Sequence, residues 1–294
     1  MKALILAAGR GERLRPVTDR IPKMLLPVVS RRLLDLNIER LFSTGVSDIG
    51  INLFHHAQII KNHLAKYDDR VHVVVEDTLK GTGGALVNFR NFFGEDFVVI
   101  SGDVVSDIKL TDIIGYHRKH NPVATLVMTR HNGTKFRIGK DNRIDRIYNY
   151  DATPYTYAGV GVFSKRIFSF FPKQDVFSIL DVFRNVIRSS QPLMGLPAVM
   201  YWYNINSPYT YWKIHHDVLN ARAHMPDIEC SSAVYIAPSS LVMTRQLHGF
   251  VSVGDDCNIA AAVHLENAVV LPGSIVRGGD YRNCLVSGSE RVTV

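Results

Sequence analysis

The chain has 294 residues, of which 46% are apolar and 21% are charged, as in an ordinary globular protein. Its 34 Lys and Arg exceed its 27 Asp and Glu, and the net charge of +7 suits a nucleic acid or a phosphorylated small molecule as partner. The N-terminal apolar run, residues 3–8, is far too short for a membrane span or a signal sequence, so we expect a cytoplasmic protein with no membrane partner. The cysteines, Cys230, Cys257 and Cys284, form no disulfide or zinc pattern, and we expect them to be reduced and structural.

In the first 224 residues, strand-like and helix-like segments alternate. Apolar runs of strand length occupy residues 2–8, 48–53, 71–76, 97–103 and 124–130, and segments of helical periodicity occupy residues 33–45, 58–67, 83–94 and 110–120. This alternation predicts an α/β fold with a Rossmann-like, mostly parallel sheet and helices on both of its faces. Ser207 and Pro208 have the residue types of an N-cap and a first helical position, and they predict a helix that closes this domain. The first domain is therefore predicted over residues 1–228.

A basic loop follows the first predicted strand. It contains Gly9, Gly11 and five basic residues, up to Lys23. Glycines let a phosphate approach the backbone, and open α/β sheets bind ligands where such loops leave the strands. The loop is neither a dinucleotide fingerprint, because position 14 is Leu, nor a Walker A loop, because no Gly-Lys-Ser/Thr follows. It predicts a phosphate-binding loop, and the alternative is a basic loop that only faces solvent.

From about residue 233 an aliphatic residue recurs at every sixth position. Val253, Ile259, Leu265 and Leu271 begin four such hexads, and Ile236 begins a less regular one. This period predicts a short left-handed parallel β-helix as a second domain over residues 229–294. Because an open-ended β-helix buries its apolar positions by stacking, we expect a homo-oligomer. The alternative is a few short antiparallel strands.

Several segments together resemble the sugar-1-phosphate nucleotidyltransferases. The pattern Gly-x-Gly-x-Arg-x-x-Pro-x-Thr followed by Pro-Lys, over residues 9–23, resembles the signature loop of that family and is complete. The segments that resemble its nucleotide-base loop, metal-binding strand end, sugar-side strand and tryptophan segment are residues 76–86, 100–107, 157–164 and 202–211. Within the family the chain looks most similar to mannose-1-phosphate guanylyltransferases and to heptose- or N-acetylmuramate-1-phosphate nucleotidyltransferases.

The resemblance implies a reaction in which a sugar 1-phosphate oxygen attacks the α-phosphorus of a nucleoside triphosphate and pyrophosphate leaves. A protein that catalyses it mainly positions groups and neutralises developing charge. Arg13 would then hold the leaving phosphates and Lys23 the α-phosphate. Asp103 would bind Mg²⁺ together with Asn204. For Asp103 the alternative is a helix-capping role.

The resemblance also implies two sets of binding residues. The nucleotide-binding set is Leu6, Ala8, Gly9, Arg10, Gly11, Glu76, Gly81 and Thr82. The sugar-phosphate set is Arg137, Tyr148 and Gly159. Because an ionised carboxylate only accepts hydrogen bonds, Glu76 weakly favours the donor edge of guanine, and hence GTP over UTP or dTTP. The alternative is that Glu76 caps the next turn.

The chain departs from the family pattern at several of these positions. Asn204 stands where a second aspartate is usual, and an amide oxygen coordinates Mg²⁺ without adding charge. Tyr148-Asn149-Tyr150 replaces the usual Glu-Lys-Pro, and Tyr157 replaces an asparagine of the sugar-side strand. We hypothesise that Arg137 supplies the positive charge of the absent lysine, and the alternative is an exposed arginine in a hairpin.

Three functions follow from these observations. The first is an active nucleotidyltransferase that binds a nucleoside triphosphate and a sugar 1-phosphate. The second is a catalytically silent relative that binds a nucleotide or nucleotide sugar and regulates a partner. A nucleic-acid binder is the weakest, because the basic residues concentrate in one phosphate-sized loop without the basic and aromatic interleaving of nucleic-acid surfaces. We therefore expect no nucleic-acid partner.

Overall fold

A computed structural model describes residues 1–223, 225, 228 and 232–294 of the chain. The α-helices in these residues are α1 (Val17–Arg20), α2 (Leu33–Ser43), α3 (Ala57–Leu64), α4 (Gly81–Val87), α5 (Leu110–His120), α6 (Ile179–Arg188) and α7 (Pro208–Leu219). Short 3₁₀ helices cover Glu12–Leu14, Lys23–Leu25, Ala65–Arg70 and Lys165–Phe170.

The strands fall into an N-terminal and a C-terminal series. The first series is β1 (Lys2–Leu6), β2 (Pro27–Val28), β3 (Arg31–Arg32), β4 (Ile49–Leu53), β5 (Val71–Val75), β6 (Asp96–Ser101), β7 (Val104–Ser106), β8 (Ala124–Thr129), β9 (Lys135–Ile138), β10 (Ile144–Tyr148), β11 (Thr156–Ser164), β12 (Leu193–Pro197) and β13 (Trp202–Asn204). The second is β14 (Val234–Ile236), β15 (Leu241–Val242), β16 (Gln246–Val253), β17 (Asn258–Ile259), β18 (Val263–Val270), β19 (Ile275–Val276), β20 (Gly279–Ser287) and β21 (Glu290–Thr293).

The described residues cluster into two compact units. Unit 1 comprises Met1–Arg10, Asn37–Val104 and Ile108–Trp202, and unit 2 comprises Gly11–Leu36, Val105–Asp107 and Tyr203–Val294. The domain boundary predicted at residues 228 and 229 stays a prediction, since several neighbouring residues lie outside the described ones.

Unit 1 is built on a nine-stranded sheet formed by described residues. Its strands β6, β1, β4 and β5 pair in parallel, in that order, and the apolar runs that predicted β6, β1 and β4 are largely buried, whereas β5 at the edge is more exposed. The parallel, Rossmann-like prediction is confirmed for these strands. The next strand, β11, runs antiparallel to both β6 and β8, so the sheet as a whole is mixed. The predicted helices correspond to α2, α3, α4 and α5, which connect strands of this sheet.

Strand order brings several chain segments to one edge of the sheet. The parallel strands β1, β4 and β6 all end at the same edge, and polar groups follow each of them. Because β11 pairs Val160 with Ile100 in antiparallel fashion, its residues before Val160 extend past the carboxyl end of β6. The edge is therefore the place in unit 1 where loops and strand ends can meet a ligand.

Unit 2 contains the basic loop from Gly11 onward and helix α7. Helix α7 begins as predicted, with Ser207 as N-cap in a capping box and Pro208 in the first turn. Tyr211 and His215 on this helix are buried and direct their polar atoms at the carbonyl oxygen of Pro27, at 2.6 and 3.0 Å. The helix thus packs on the hairpin of β2 and β3, which follows the basic loop.

The C-terminal strands of unit 2 form two parallel sets. Strands β14, β16, β18 and β20 pair in parallel, and so do β15, β17 and β19, while β21 adds an antiparallel edge. The parallel prediction is confirmed, and the antiparallel alternative is wrong for these strands. The hexad phase is not strict, however, because Val253 pairs with Val270 and not with Leu271. A register shift in β16 between His248 and Val251 changes the phase.

The remaining sequence predictions concern cysteines and membranes. Cys257 and Cys284 are free and buried, as expected of structural cysteines, and Cys230 lies outside the described residues. No helix in the described part of the chain has the length and apolar character that crossing a membrane requires.

Candidate functional site

The signature loop folds around Gly11. Gly11 has a φ of +70°, and a Cβ at this position would come within 2.9 Å of the Thr18 methyl and 3.4 Å of Lys23 Cβ. The Thr18 hydroxyl donates a hydrogen bond of 2.9 Å to the Gly11 carbonyl. The spacing of Gly, Thr and Lys in the motif therefore has a geometric cause, because the three residues meet in the folded loop.

The other residues of the loop differ in their surroundings. A Cβ at Gly9 would meet nothing within 4 Å, so intramolecular packing does not require glycine there. Arg13 is exposed, and the guanidinium of Arg10 lies 5.4 Å from the ring centroid of Phe54. This part of the loop presents open backbone and cationic groups to solvent, which suits an incoming phosphate.

A buried hydrogen-bond chain connects the end of β1 to Glu76. The backbone N–H of Ala7 donates to Asn52 Oδ1 at 2.9 Å, and Asn52 Nδ2 donates to Glu76 Oε1 at 2.9 Å. Glu76 Oε2 accepts from the N–H of Lys80 at 3.2 Å. Glu76 is 4% exposed, and each of its carboxylate oxygens accepts one of these hydrogen bonds from a neighbouring segment. This geometry corresponds to the capping alternative for Glu76, and its contact with a base stays a prediction.

The glycine-rich loop at the start of α4 is packed against residues 175–178. Gly81 has a φ of +74°, and a Cβ there would lie 2.6 Å from the Phe177 carbonyl oxygen. The N–H groups of Gly83 and Gly84 donate to the same oxygen, and the Thr82 hydroxyl accepts from the N–H of Ile179 at 3.1 Å. The glycines are thus needed for close packing, and nucleotide binding by Gly81 and Thr82 remains a prediction.

Asp103 lies in the turn that follows β6. Its Oδ1 accepts from the Ser101 hydroxyl at 2.7 Å. The preceding Gly102 donates its N–H to the Leu6 carbonyl at 2.9 Å and accepts from Asn37 Nδ2 at 3.0 Å. These contacts bring Asp103 to the sheet edge beside the end of β1 without a helix N-terminus to cap, since β7 begins at the next residue. The helix-capping alternative is therefore wrong.

Gly159 lies against the same turn. It has a φ of +76°, and a Cβ there would come within 2.9 Å of Ser101 Cβ. The neighbouring Tyr157 packs edge-on against Phe183, and burial raises the pKa of its hydroxyl. Gly159 is therefore placed close to Asp103 through Ser101, whereas Tyr157 belongs to the core around α6.

Arg137 and Tyr148 lie on the neighbouring hairpin of β9 and β10. Arg137 is exposed and forms two hydrogen bonds with the carboxylate of Asp145, at 2.6 and 2.8 Å, which raise the pKa of the guanidinium. Tyr148 is half-buried and pairs with Lys135 across the hairpin. This position for Arg137 matches the exposed-hairpin alternative, and its role toward a sugar phosphate stays untested.

The proposed metal ligands have suitable chemistry. Asp103 offers a carboxylate and Asn204 an amide oxygen, and Mg²⁺ is commonly held by one or two carboxylates together with phosphates and waters. In the described residues, no three His, Cys, Asp or Glu side chains are grouped so that they could hold a metal ion. Because the ion takes most of its ligands from phosphates and water, few protein oxygens are needed, and the joint binding of one ion by Asp103 and Asn204 stays a prediction. Asp103 belongs to unit 1 and Asn204 to unit 2.

Sequence reasoning missed several residues near the sheet edge. Asn52 is 3% exposed, and a polar residue at the end of a buried strand was a signal that could have identified it. Lys135 is buried, donates to the carbonyl of His131 at 2.8 Å and lies 3.4 Å from Asp151. Trp202 donates its Nε1–H to the Ala158 carbonyl at 2.9 Å. The sequence placed Trp202 in the segment that resembles the family's tryptophan segment, but its contact with Ala158 joins distant parts of the chain and no local pattern indicated it.

Comparison with known families agrees with this geometry. A sequence model of the nucleotidyl transferase family matches residues 2–221. The chain belongs to this family. The family resemblance of the signature loop is thereby confirmed, and the match includes both the loop and the strand end that carries Asp103.

Curated relatives carry several different names. A UTP–glucose-1-phosphate uridylyltransferase of Synechocystis sp. is 25% identical over 92% of this chain and 82% of its own length. The bifunctional protein GlmU of Methanococcus aeolicus is 28% identical over 76% of this chain and 54% of its own length. A mannose-1-phosphate guanyltransferase of Aspergillus oryzae is 31% identical over 54% of this chain and 46% of its own length. The chain spans about half the length of the last two relatives.

Solved structures share the fold of this nucleotidyl transferase. A putative glucose-1-phosphate thymidylyltransferase from Bacillus anthracis, in complex with a sucrose, aligns with a TM-score of 0.67 at 22% identity, over 79% of this chain and 98% of its own. HddC from Yersinia pseudotuberculosis, complexed with GMP-PN, aligns with a TM-score of 0.61 at 23% identity, over 72% and 97%. At such identities the likeness concerns the fold alone.

Proposed function

We propose that this nucleotidyl transferase joins a nucleoside monophosphate, taken from a nucleoside triphosphate, to a sugar 1-phosphate and releases pyrophosphate. The observation that carries this proposal is the signature loop, in which Gly11, Thr18 and Lys23 meet and Gly9 leaves open backbone. The curated relatives support it, since the names quoted for two of them are of sugar-1-phosphate nucleotidyltransferases.

The proposed roles follow from the charges of the reaction. Lys23 is a compact cation, which suits the α-phosphate, where charge changes as the bond to pyrophosphate breaks. Arg13 is exposed and has a planar fork that can hold two oxygens of the leaving phosphates. The open backbone at Gly9 lets N–H groups approach phosphate oxygens. These groups position the substrates and neutralise charge, which is most of what phosphoryl transfer requires.

Mg²⁺ is the cofactor that we propose, with Asp103 and Asn204 as its protein ligands, and when bound it would neutralise charge on the phosphates. Asp103 is suited to this role because the Ser101 hydroxyl orients its carboxylate. Asn204 contributes an oxygen without charge, so we propose weaker metal binding than two carboxylates would give.

The nucleobase and the sugar are finer proposals. GTP is our weak preference, on the acceptor character of Glu76, although Asn52 and Lys80 already engage both of its oxygens. The named relatives use UTP or a guanylyl donor, so the base must be found by experiment. Tyr148, Gly159 and Arg137 remain the proposed sugar-phosphate residues, and Gly159 is supported by its contact with Ser101.

Three further proposals concern the whole protein. The two parallel strand sets at the C-terminus fit the sides of a left-handed β-helix with hexapeptide repeats. Among the described strands β14 is at the edge of its set, and an edge strand suits assembly into a homo-oligomer. We also propose a cytoplasmic location, where nucleoside triphosphates are available.

The second candidate function is a catalytically silent relative that binds nucleotide and regulates a partner. The observation that favours it is Asn204, which lowers the ligand charge at the proposed metal site. Turnover separates the two candidates, because a silent relative binds nucleotide without releasing pyrophosphate.

The test is a matrix of five nucleoside triphosphates against several sugar 1-phosphates, with Mg²⁺ and pyrophosphate release as the readout. We expect at least one pair of substrates to release pyrophosphate. Lys23→Ala serves as the control for a contaminating enzyme, because a contaminant would retain its activity in that preparation. Nucleotide binding without pyrophosphate release from any pair would favour the silent relative.

A further inference from the structure

Two donors on α7 hold the carbonyl oxygen of Pro27. The Tyr211 hydroxyl donates to it at 2.6 Å, and His215 Nε2 lies 3.0 Å from it. Because a carbonyl only accepts hydrogen bonds, Nε2 must carry a proton. Tyr211 is 0% exposed and His215 1%, so water does not compete for this oxygen. The backbone of Pro27 is therefore held in place from two directions.

A tight turn connects Pro27 to Lys23. The N–H of Leu25 donates to the Pro22 carbonyl at 2.8 Å, and the N–H of Leu26 donates to the Lys23 carbonyl at 3.2 Å. These bonds close a 3₁₀ turn over Lys23–Leu25, directly before β2. Because the hydrogen-bonded turn leaves few free dihedral angles between these residues, the backbone of Lys23 moves when Pro27 moves.

A neighbouring face of α7 contacts the C-terminal strands. Trp212 donates its Nε1–H to the Asn267 carbonyl at 2.8 Å. The rings of Trp212 and His216 lie 5.1 and 5.2 Å from the ring of Phe250, which is buried. One helix thus contacts the Pro27 backbone through Tyr211 and His215 and the strands β16 and β18 through Trp212.

Two further contacts join loops between the C-terminal strands to residues 11–36. Arg32 forms an ion pair with Asp255 at 3.9 Å. The guanidinium of Arg20 lies so close to Gly288 that a side chain at position 288 would overlap it. These residues all belong to unit 2, although more than two hundred positions separate them in the sequence.

We propose that the C-terminal strands, acting through α7, hold Lys23 in its working position, and that Tyr211, His215 and Trp212 are positioning residues for the transfer. This inference rests on the proposed function of Lys23. None of the three touches the reacting atoms. Misplacing a catalytic group by about 1 Å can lower the rate on the order of 10²-fold. Contacts that fix the backbone of Lys23 would therefore increase the rate of the transfer in addition to stabilising the fold. The C-terminal strands then serve catalysis as well as assembly.

The first arm of the test measures how firmly the backbone after Lys23 is held, with a readout that does not depend on enzymatic activity. Tyr211→Phe removes one donor and keeps the ring, and Tyr209→Phe is a matched control on the same helix, where the side chain is 51% exposed. We expect Tyr211→Phe to speed hydrogen exchange at the Leu25 and Leu26 amides by on the order of tenfold, and Tyr209→Phe to leave it unchanged. Trp212→Phe, which keeps a ring and loses the donor, should act in the same direction.

The second arm is a double-mutant cycle with Lys23→Ala. In the wild-type background we expect Tyr211→Phe to lower kcat by roughly tenfold and to change the KM for the nucleotide by less than about twofold. In the Lys23→Ala background it should change kcat by less than about twofold, because the residue that it positions is absent. A side chain that only stabilises the fold would have the same effect in both backgrounds.

The outcomes are distinct. Equal effects of Tyr211→Phe in both backgrounds, or exchange at Leu25 and Leu26 that matches Tyr209→Phe, would overturn the positioning role. His215→Leu removes the second donor and should also speed exchange at Leu25 and Leu26, whereas His215→Gln, which retains an N–H donor, should show wild-type exchange. If the substitutions change hydrogen exchange as expected but the wild-type protein shows no turnover, the positioning of the Lys23 backbone stands and only the proposed function is contradicted.

Discussion

Residue by residue, the signature loop separates positions that the fold requires from positions that it leaves open. Gly11 must be glycine because of its positive φ and its contact with Thr18. Gly9 has open space at the Cβ position, and no packing among the described residues requires glycine there. The motif was recognisable in the sequence because both kinds of position lie within fifteen residues of each other. Glu76 was harder to interpret, because Asn52, its partner, is distant in the sequence.

Two exposed arginines allow a matched comparison. Arg13→Ala should raise the nucleotide KM and lower kcat/KM by roughly 10²-fold, because it removes a fork that holds the leaving phosphates. Arg137→Ala should change the KM for the sugar 1-phosphate by less than about twofold, because Asp145 already neutralises that charge. Steady-state kinetics of both variants provide the measurement. A large rise in the sugar-phosphate KM of Arg137→Ala would restore the role inferred from the sequence.

The charge at Asn204 sets a prediction about metal dependence. Asn204→Asp adds a formal negative charge to the proposed Mg²⁺ site, so the Mg²⁺ concentration for half-maximal activity should fall several-fold. The affinity for Mn²⁺, measured by electron paramagnetic resonance, should rise in parallel, and this readout does not depend on turnover. Asp103→Ala should abolish activity. An unchanged metal dependence in both variants would place the metal on other ligands.

Among the elements, the sequence predicted the buried strands β1, β4, β6 and β8, the more exposed strand β5 and the helices between them. These elements have continuous apolar runs or helical periodicity, and local pattern determines them. The antiparallel β11 and the phase change in β16 were not predictable, because they depend on which strands become neighbours. The hydrogen bond from Tyr211 to the Pro27 carbonyl was not predictable either, since nothing near either residue in the sequence indicates the other.

Helix α7 should make stability depend on pH. Burial lowers the pKa of His215 to about 4 from 6.5, so the folded state binds fewer protons than the unfolded state between these values. The corresponding stability is complete above about pH 6.5 and is lost as the pH falls toward 4, and it amounts to on the order of 2–3 kcal/mol. His117, whose pKa burial also lowers, contributes with the same sign.

Urea unfolding near pH 7 and near pH 4.5 measures this effect. The wild-type protein should lose more stability between the two conditions than His215→Gln, which has no ring to protonate. Replacement of the exposed His120 serves as the control, and that variant should lose about as much stability as the wild type. If His215→Gln and the wild type lose equal free energy of unfolding between the two pH values, His215 does not cause the loss of stability in acid.

At the scale of the whole molecule, the compact units do not follow the order of the chain. Residues 11–36 cluster with residues 203–294, and the contacts of α7 and Arg32 explain why. Sequence reasoning separated these segments at residue 228, because composition and periodicity change there. It had no means to detect that the C-terminal strands pack on the helix before them.

Deletion of residues 232–294 tests this organisation. Loss of the β16 and β18 contacts exposes Trp212 and one face of α7, so we expect a lower unfolding temperature and a loss of activity greater than the loss of folded protein. Circular dichroism and size-exclusion chromatography with light scattering give stability and mass. A shortened protein that keeps the stability, oligomeric state and kcat of the full chain would support an independent domain over residues 1–228.

The most direct test of the central claim is the product itself, observed by ³¹P nuclear magnetic resonance in the substrate pair that the matrix selects. With wild-type protein and Mg²⁺ we expect the two coupled resonances of a nucleotide sugar and the signal of pyrophosphate to grow in equal amounts. Lys23→Ala should form both at least about 10²-fold more slowly while it keeps its fold, because Lys23 acts mainly in the transition state. Nucleoside monophosphate in place of the nucleotide sugar, or an unchanged rate in Lys23→Ala, would contradict the claim.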